Sequence, residues 1–467
     1  MNKITATYTD QYQLTMAQAY FKQGKHEDTA IFDYFFRKLP FDGGYAVLAG
    51  IDDLLDILEN LRFNEKDIQL MHTQDFPEDF LKYLKGFRFK GNIYSSREGD
   101  VIFPTRPVLQ VEANLLEAQI IETLLLNILN FQTLIATKAS RMRLVAQDRK
   151  LIDFGLRRAH ATGGYYASRA AVIGGFDGTS NVLSGRDFDI PISGTMAHSF
   201  VQSYDDELTA FREFAQARPD DCVLLVDTYD TLKSGIPNAI KVGKEMEDRG
   251  EKLKGIRLDS GDLAYLAKKA RKMFDDAGMD YVKIAASNQL DEYVIKSLLD
   301  QGAPIDLFGV GTNLVTGQAD AAFDGVYKLA FAAGKPRLKL SENKEKISLP
   351  EKKQVYRLKN NKGEWIGADA VALAEEQDFT RIHSHFESDK SMTIEGCEKE
   401  PLLQKVMDGG RRNIEKPSLK ELSAYREERL SQLPDEYKRF ENAHIYKVGL
   451  TDRLKEVRDQ LIDAYKK

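Results

Sequence analysis

The stretch CVLLVDTYDTLKSGIPNAIKVGKEMEDRGEKLKGIRLDSGDLAYLAKKARKMFDDAGMDYVKIAAS, residues 222–287, decides the architecture. Its apolar runs at 222–227, 255–259 and 282–287 have the length of buried strands, and the intervening 234–249 and 262–277 carry apolar residues at helical spacing. Parallel strands need a crossover, normally a helix, so this alternation predicts a parallel sheet. The pattern extends in both directions. LIDF (151–154), AVIGG (171–175) and IPIS (190–193) precede it, IDLFGVG (305–311) follows, and 199–217 and 290–300 read as further helices. So many strand–helix units predict a closed or irregular parallel α/β barrel over an open sheet.

In such folds ligands bind where the strands end. Polar or glycine-rich clusters follow nearly every run: FGLRR (154–158), GFDGTS (175–180), GTMAH (194–198), DTYD (227–230), RLDSGD (257–262), SN (287–288) and GVGT (309–312). In GTMAH, His198 follows a Gly194-Thr195 turn and precedes a helical pattern, a setting that turns backbone N–H groups and a side chain toward a phosphate. A lone histidine is often simply bonded within a core, but this one stands among other polar strand ends. Asp227 would fix the tautomer of an imidazole and stabilise its cation. Arg257, Asp259 and Asp262 could bind sugar hydroxyls or Mg2+, a hard cation that prefers carboxylate oxygens; Asp259 or Ser260 could equally cap the next helix. Arg157 and Arg158 could hold a carboxylate or phosphate, or make surface ion pairs. The tripeptide DFG at 153–155 lacks the Gly-rich loop, strand lysine and HRD-type loop of a kinase.

Upstream, residues 1–145 read as a mixed α/β domain: a helix at 9–21, a strand at 29–36, a helix at 51–61, short strands over 91–111 and a long helix at 115–145. Beyond residue 330 the alternation stops. The Lys-rich 336–357 leads into a solvated hairpin over 351–365 that turns near Asn361-Lys-Gly363, and 416–439 reads as an exposed, charged helix. His383, His385 and Cys397 could be taken for metal ligands, but three without a fourth make a weak zinc site, and uncoordinated strand histidines are the default.

Composition narrows the function classes. A chain of 467 residues exceeds one compact core, and 42% hydrophobic with 30% charged residues is ordinary for a globular protein. The net charge of -6 argues against generic nucleic-acid or anionic-membrane binding. Two cysteines fit a reducing cytoplasm, and the first residues lack the apolar core of a signal peptide. The most apolar long segment, 115–134, carries Glu117, Gln119, Glu122, Asn127, Asn130 and Gln132, which would be costly in lipid.

Taken in order, YTDQYQLTMAQAYF, DFGLRRAH, GGFDGTSNVL, GTMAHSF, IRLDSGDL, FGVGTNLVT, GVYKLAF and KPRLKLSE resemble the nicotinate phosphoribosyltransferases of NAD salvage. The resemblance implies an irregular, type II phosphoribosyltransferase-like α/β barrel over 146–330. It also implies an N-terminal α/β sandwich over 1–145, completed by the C-terminal segment 331–467. The implied reaction joins nicotinate to phosphoribosyl pyrophosphate, giving nicotinate mononucleotide and pyrophosphate. ATP hydrolysis would be coupled through a phosphohistidine at His198, with Mg2+ as counter-ion and a homodimer sharing its active sites. Residue by residue, Phe154 and Tyr12 of the partner subunit would sandwich the pyridine ring, and Arg157 and Arg257 would face its carboxylate and the phosphates. Asp259 would face the ribose or, with Asp262, the metal. Thr195, Ser287, Asn288, Gly311 and Thr312 would hold phosphate, joined by Arg37 and Lys339. Related nicotinamide enzymes carry aspartate where Ser180 stands; a serine hydroxyl can donate to a ring carboxylate, so nicotinate is the expected substrate and nicotinamide the alternative. An aldolase or isomerase barrel would need a Schiff-base lysine at a strand end, and none is present in these clusters; a non-catalytic sensor would have no need of His198 and Arg257.

Overall fold

A computed structural model describes residues 4–341, 347–387 and 389–466. Part of the Lys-rich stretch, 342–346 with Glu342 of KPRLKLSE, lies outside them. The chain forms two compact units, one of Met1–Thr137 with Ala322–Lys467 and one of Lys138–Ala321. Among the described residues no helix is long and apolar enough to cross a membrane.

The first unit holds a seven-stranded antiparallel sheet in which Thr29–Phe36 pairs with Gly325–Ala332 on one side and Leu109–Asn114 on the other. TAIFDYFF is buried along nearly its whole length, because a continuous apolar run suits a strand covered on both faces. Chain from both ends builds this sheet: Gln404–Asp408 pairs with Asn92–Ser95. A second, six-stranded sheet is made from the C-terminal chain, with Lys353–Lys359 and Trp365–Leu373 antiparallel at its centre. That hairpin is where the sequence places it, but it is largely buried and not solvated: Lys353 Nζ lies 2.9 Å from Asp33. The charged helix Leu419–Gln432 is likewise not simply exposed. It buries Leu422, Arg426, Arg429 and Leu430, and Arg429 Nε donates to Asp100 at 2.8 Å. Arg357, fully buried, joins Asp100 to Asp369 and lies 4.0 Å from the Trp365 ring centre. Among the described residues, three α-helices of this unit have no counterpart in the sequence reading: Glu65–His72 with its Asn64–Asp67 capping box, Glu78–Lys85 and Asp452–Lys466.

The second unit is a mixed α/β body around an all-parallel sheet. Its strands are β1 (Lys150–Asp153), β2 (Gly178–Thr179), β3 (Val223–Leu225), β4 (Gly255–Leu258), β5 (Lys283–Ser287) and β6 (Leu307–Val310), in the spatial order β2-β1-β6-β5-β4-β3. An isolated parallel bridge, Thr179 to Ile192, adds the IPIS segment beyond β2. Among the described residues the ladder is thus continuous over seven segments with no pairing between that segment and β3, an irregular arrangement. The crossovers include α1 (Thr162–Ile173), α2 (His198–Gln202), α3 (Glu207–Ala217), α4 (Ile236–Asp248), α5 (Leu263–Asp276) and α6 (Glu292–Asp300), and α7 (Thr312–Val315) follows β6. AVIGG is a correction: its first three residues close α1, whose small, apolar TGGYYASRAAVI buries one side as a helix, and the strand role passes to Gly178–Thr179. The expected helix over 199–217 is two helices, because Asp206 accepts from the Thr209 N–H and starts α3 anew.

Candidate active site

The strand ends of the second unit gather most of the expected residues. Asp153, buried at the end of β1, accepts from the Gly155 N–H at 2.7 Å, Ser168 Oγ at 2.7 Å and Thr179 Oγ1 at 2.8 Å. Burial pushes its carboxyl above the usual range, and the three donors oppose this. That anchor shapes the turn carrying Phe154 and Arg157, and the Ser180 N–H donates to Asp153 O at 2.8 Å, so Phe154 and Ser180 hang from one residue. Gly309 on β6 lets the Phe154 ring lie over it; a Cβ there would sit 2.4 Å from the ring.

His198 opens α2 with its side chain 40% exposed. Its Nδ1 is 3.1 Å from Thr228 Oγ1, and its Nε2 is 4.0 Å from Asp227 Oδ1. Asp227 therefore faces the imidazole without a hydrogen bond, and the direct partner is a threonine that sequence reasoning passed over. The other oxygen, Asp227 Oδ2, accepts from the Asp259 N–H at 2.8 Å and Ser260 Oγ at 2.6 Å, which ties the ends of β3 and β4 together. Arg257 Nη2 donates to Met196 O at 2.8 Å, reaching into the GTMAH loop. Burial lowers this guanidinium's hold on its proton, Asp259 and Asp227 raise it, and Arg157 lowers it again. Arg157 and Arg257 thus act on each other as like charges, which a bound anion would relieve.

Among the described residues, Thr195 Oγ1, Asp227 Oδ1 and Arg257 Nε are buried polar atoms without a hydrogen-bond partner. Buried polar atoms are normally satisfied, and these three, in the His198 turn and at the ends of β3 and β4, are groups a ligand could pair with. Ser287 Oγ donates to Asp259 Oδ1 across neighbouring strands. After β5, Asn288 and Gln289 take positive φ values of 81° and 51°, and Asn313 Nδ2 donates to Leu290 O at 3.0 Å, so the turn after β5 meets the Gly311-Thr312 turn after β6. Those two turns follow adjacent strands, as a shared phosphate cradle requires.

The metal expectation divides. The cap of α5 is Asp262, which accepts from the Tyr265 N–H at 3.0 Å, and not Asp259 or Ser260 as expected from the sequence. Among the described residues no three His, Cys, Asp or Glu side chains form a group able to hold a metal ion, and His383 instead bonds Asp452 at 2.5 Å. Asp259, whose Oδ1 already accepts from Ser287, would give Mg2+ at most one carboxylate contact to an ion carried by phosphates, and not a protein cage.

Tyr12, Arg37 and Lys339 belong to the first unit. Tyr12 is half exposed on the helix Gln11–Lys22. Arg37 and Lys339 both depress the proton affinity of Lys328, which burial lowers first and Glu122 partly restores. Lys328, within GVYKLAF, is a third cation of this cluster that residue-by-residue reading missed, and Arg37 Nε is buried without a partner.

Sequence comparison decides the family. The nicotinate phosphoribosyltransferase (NAPRTase) family model matches residues 149–364, and models of the N-terminal and C-terminal domains of nicotinate phosphoribosyltransferase match 7–130 and 352–458. A nicotinate phosphoribosyltransferase of Bacillus subtilis (strain 168) is 44% identical over 459 residues, covering 95% of this chain and 92% of that one. The chain belongs to the nicotinate phosphoribosyltransferase family. As a nicotinate phosphoribosyltransferase family member it is an enzyme of NAD biosynthesis. Its fold is that of human nicotinic acid phosphoribosyltransferase, with a TM-score of 0.87, 31% identity and coverage of 97% and 99% of the two chains. A nicotinate-nucleotide pyrophosphorylase from Pyrococcus furiosus shares it at a TM-score of 0.72 and 26% identity, covering 91% and 95%. The strand-end rim described above is the candidate active site of this family member.

Proposed function

We propose that this enzyme transfers the phosphoribosyl group of phosphoribosyl pyrophosphate to the ring nitrogen of nicotinate, and that ATP drives the reaction through phosphorylation of His198. The observation that carries the reading is a part-exposed His198 that faces Asp227, with Thr195 Oγ1, Asp227 Oδ1 and Arg257 Nε buried and without hydrogen-bond partners in the turn before it and at the neighbouring strand ends. Phosphoryl transfer relies on positioning and charge neutralisation; Thr195 Oγ1 and Arg257 Nε can donate to a phosphate, and Asp227 Oδ1 can accept from the imidazole side. Arg157 and Arg257 neutralise anionic substrate groups, and Ser180 donates to the ring carboxylate, which favours nicotinate over nicotinamide. Phe154 stacks on the pyridine ring, with Tyr12 of the partner subunit on its other face in a homodimer. Ser287, Asn288, Gly311 and Thr312 hold the 5'-phosphate. Arg37 and Lys339, with Lys328 beside them in the first unit, are cations suited to phosphate. Asp259 would hold Mg2+, which when bound neutralises the departing pyrophosphate. The protein works in the cytoplasm under this reading.

The step itself leaves the pyridine nitrogen bonded to the anomeric carbon as the bond to pyrophosphate oxygen breaks, with the leaving electron pair on pyrophosphate. Holding both partners in one geometry is the main contribution of the rim. Incubation with γ-labelled ATP tests the coupling. Acid-labile label on the wild type and none on His198→Ala is expected; equal labelling of both would overturn the role of His198.

A further inference from the structure

Two sides of the His198 ring are held differently, and the difference has a chemical consequence. Asp227 Oδ2 is fully used by the Asp259 N–H and Ser260 hydroxyl, so its carboxylate cannot turn, and Oδ1 stays directed at His198 Nε2 at 4.0 Å. At that distance the two do not hydrogen-bond, but a carboxylate favours a ring N–H on the side that faces it, which places the imidazole proton on Nε2. That leaves the lone pair on Nδ1, 3.1 Å from Thr228 Oγ1, and a hydroxyl facing a lone pair donates to it. Thr228 follows Asp227 directly in the chain, so one turn after β3 addresses both ring nitrogens.

We propose that Thr228 is a positioning residue for His198: its hydroxyl fixes the ring's rotation and, with Asp227, selects the tautomer that is competent to accept a phosphoryl group. This rests on the reading of His198 as a phospho-acceptor. In the transfer the imidazole lone pair forms the N–P bond while the bond from γ-phosphorus to the bridging oxygen breaks and ADP leaves with that electron pair. The Thr228 hydroxyl turns its proton from the ring nitrogen to an incoming phosphoryl oxygen, so no donor is stranded. Without the hydroxyl the ring is free to rotate and the two tautomers are no longer distinguished from both sides. Misplacement of a reacting group by about 1 Å costs on the order of 100-fold in rate.

The test uses the full-length enzyme and γ-labelled ATP, with rapid-quench measurement of the rate of acid-labile labelling in the wild type, Thr228→Val and Thr228→Ser. Valine keeps the shape and removes the hydroxyl; serine keeps the hydroxyl. Thr228→Val is expected to label about 10- to 100-fold more slowly with an unchanged KM for phosphoribosyl pyrophosphate, and Thr228→Ser to restore most of the rate. Histidine 15N shifts report the tautomer independently: the His198 ring keeps its proton on Nε2 in the wild type and in Thr228→Ser, and shows tautomer exchange in Thr228→Val. Labelling of Thr228→Val at the wild-type rate, or equal slowing in both variants, overturns the role of Thr228. A wild type that takes up no label at all instead overturns the phosphohistidine reading on which this one rests.

Discussion

Replacing Gly309 with alanine should damage nicotinate use far more than its size suggests. The added Cβ would sit 2.4 and 2.5 Å from two carbons of the Phe154 ring. Carbon atoms rest at about 3.5–4.0 Å, so the ring must retreat by about 1 Å. Gly309 lies in β6 without a positive φ, so alanine adds no backbone strain and the whole effect passes through the ring. Overpacking of this kind costs about 1–3 kcal/mol of stability. The loss in function should be larger: a stacking partner displaced by about 1 Å lowers kcat/KM for nicotinate about 100-fold, equal to about 2.7 kcal/mol of transition-state stabilisation. Initial rates with nicotinate varied at saturating phosphoribosyl pyrophosphate measure this, beside a thermal melt showing that the variant is folded. A folded Gly309→Ala enzyme with wild-type kcat/KM for nicotinate would refute the placement of Phe154 at the ring.

Other outcomes follow from the same geometry. Asp262→Ala removes a helix cap and should cost about 1 kcal/mol of stability while leaving Mg2+ dependence unchanged, whereas Asp259→Asn should raise the Mg2+ concentration needed for half-maximal rate; a Mg2+ titration of both variants decides. Burial pushes the Asp100 carboxyl up, but Arg357 and Arg429 pull it down further, to a net value below the usual carboxylate range. Its stabilisation is therefore present above the unfolded-state pKa and lost only as pH falls through the lower folded value. Arg429→Leu leaves that buried charge less compensated, so it should cost about 3–5 kcal/mol and move the acid loss of stability to higher pH, as read from urea midpoints across pH. Ser180→Asp should weaken nicotinate use more than nicotinamide use, and a substrate-swap assay giving unchanged selectivity would remove Ser180 from the specificity argument.

What could be read from residues alone follows the physics of each segment. The parallel sheet was legible because VLL, GIRL and KIAAS are short apolar runs bounded by turn chemistry, with amphipathic helices between them. AVIGG misled because β-branched residues closing a helix look like a strand when tertiary packing is invisible. Arg429 reads as surface charge in a run of charged residues, and its distant partners Asp100 and Glu400 are invisible in the sequence. The strand-end clusters pointed to the candidate site, since polar residues after a buried run have few other reasons to recur. Their mutual pairing was not legible: that Asp227 would spend one oxygen on Asp259 and Ser260, and that Thr228 would meet His198, depends on the register of β3 beside β4. Asp262 shows the reverse, a carboxylate in a metal-like motif whose local task is an N-cap. Lys328 stood inside a motif and went unmarked because a lysine on a strand is unremarkable until Arg37 and Lys339 are found beside it.

The most direct test of the account is product formation from nicotinate and phosphoribosyl pyrophosphate, with and without ATP, in the wild type and in His198→Ala. The wild type is expected to form nicotinate mononucleotide faster with ATP than without, and to form little product from nicotinamide. His198→Ala should keep a slow, ATP-independent transfer and lose the stimulation. A wild type indifferent to ATP, or an ATP stimulation that survives in His198→Ala, would contradict the account.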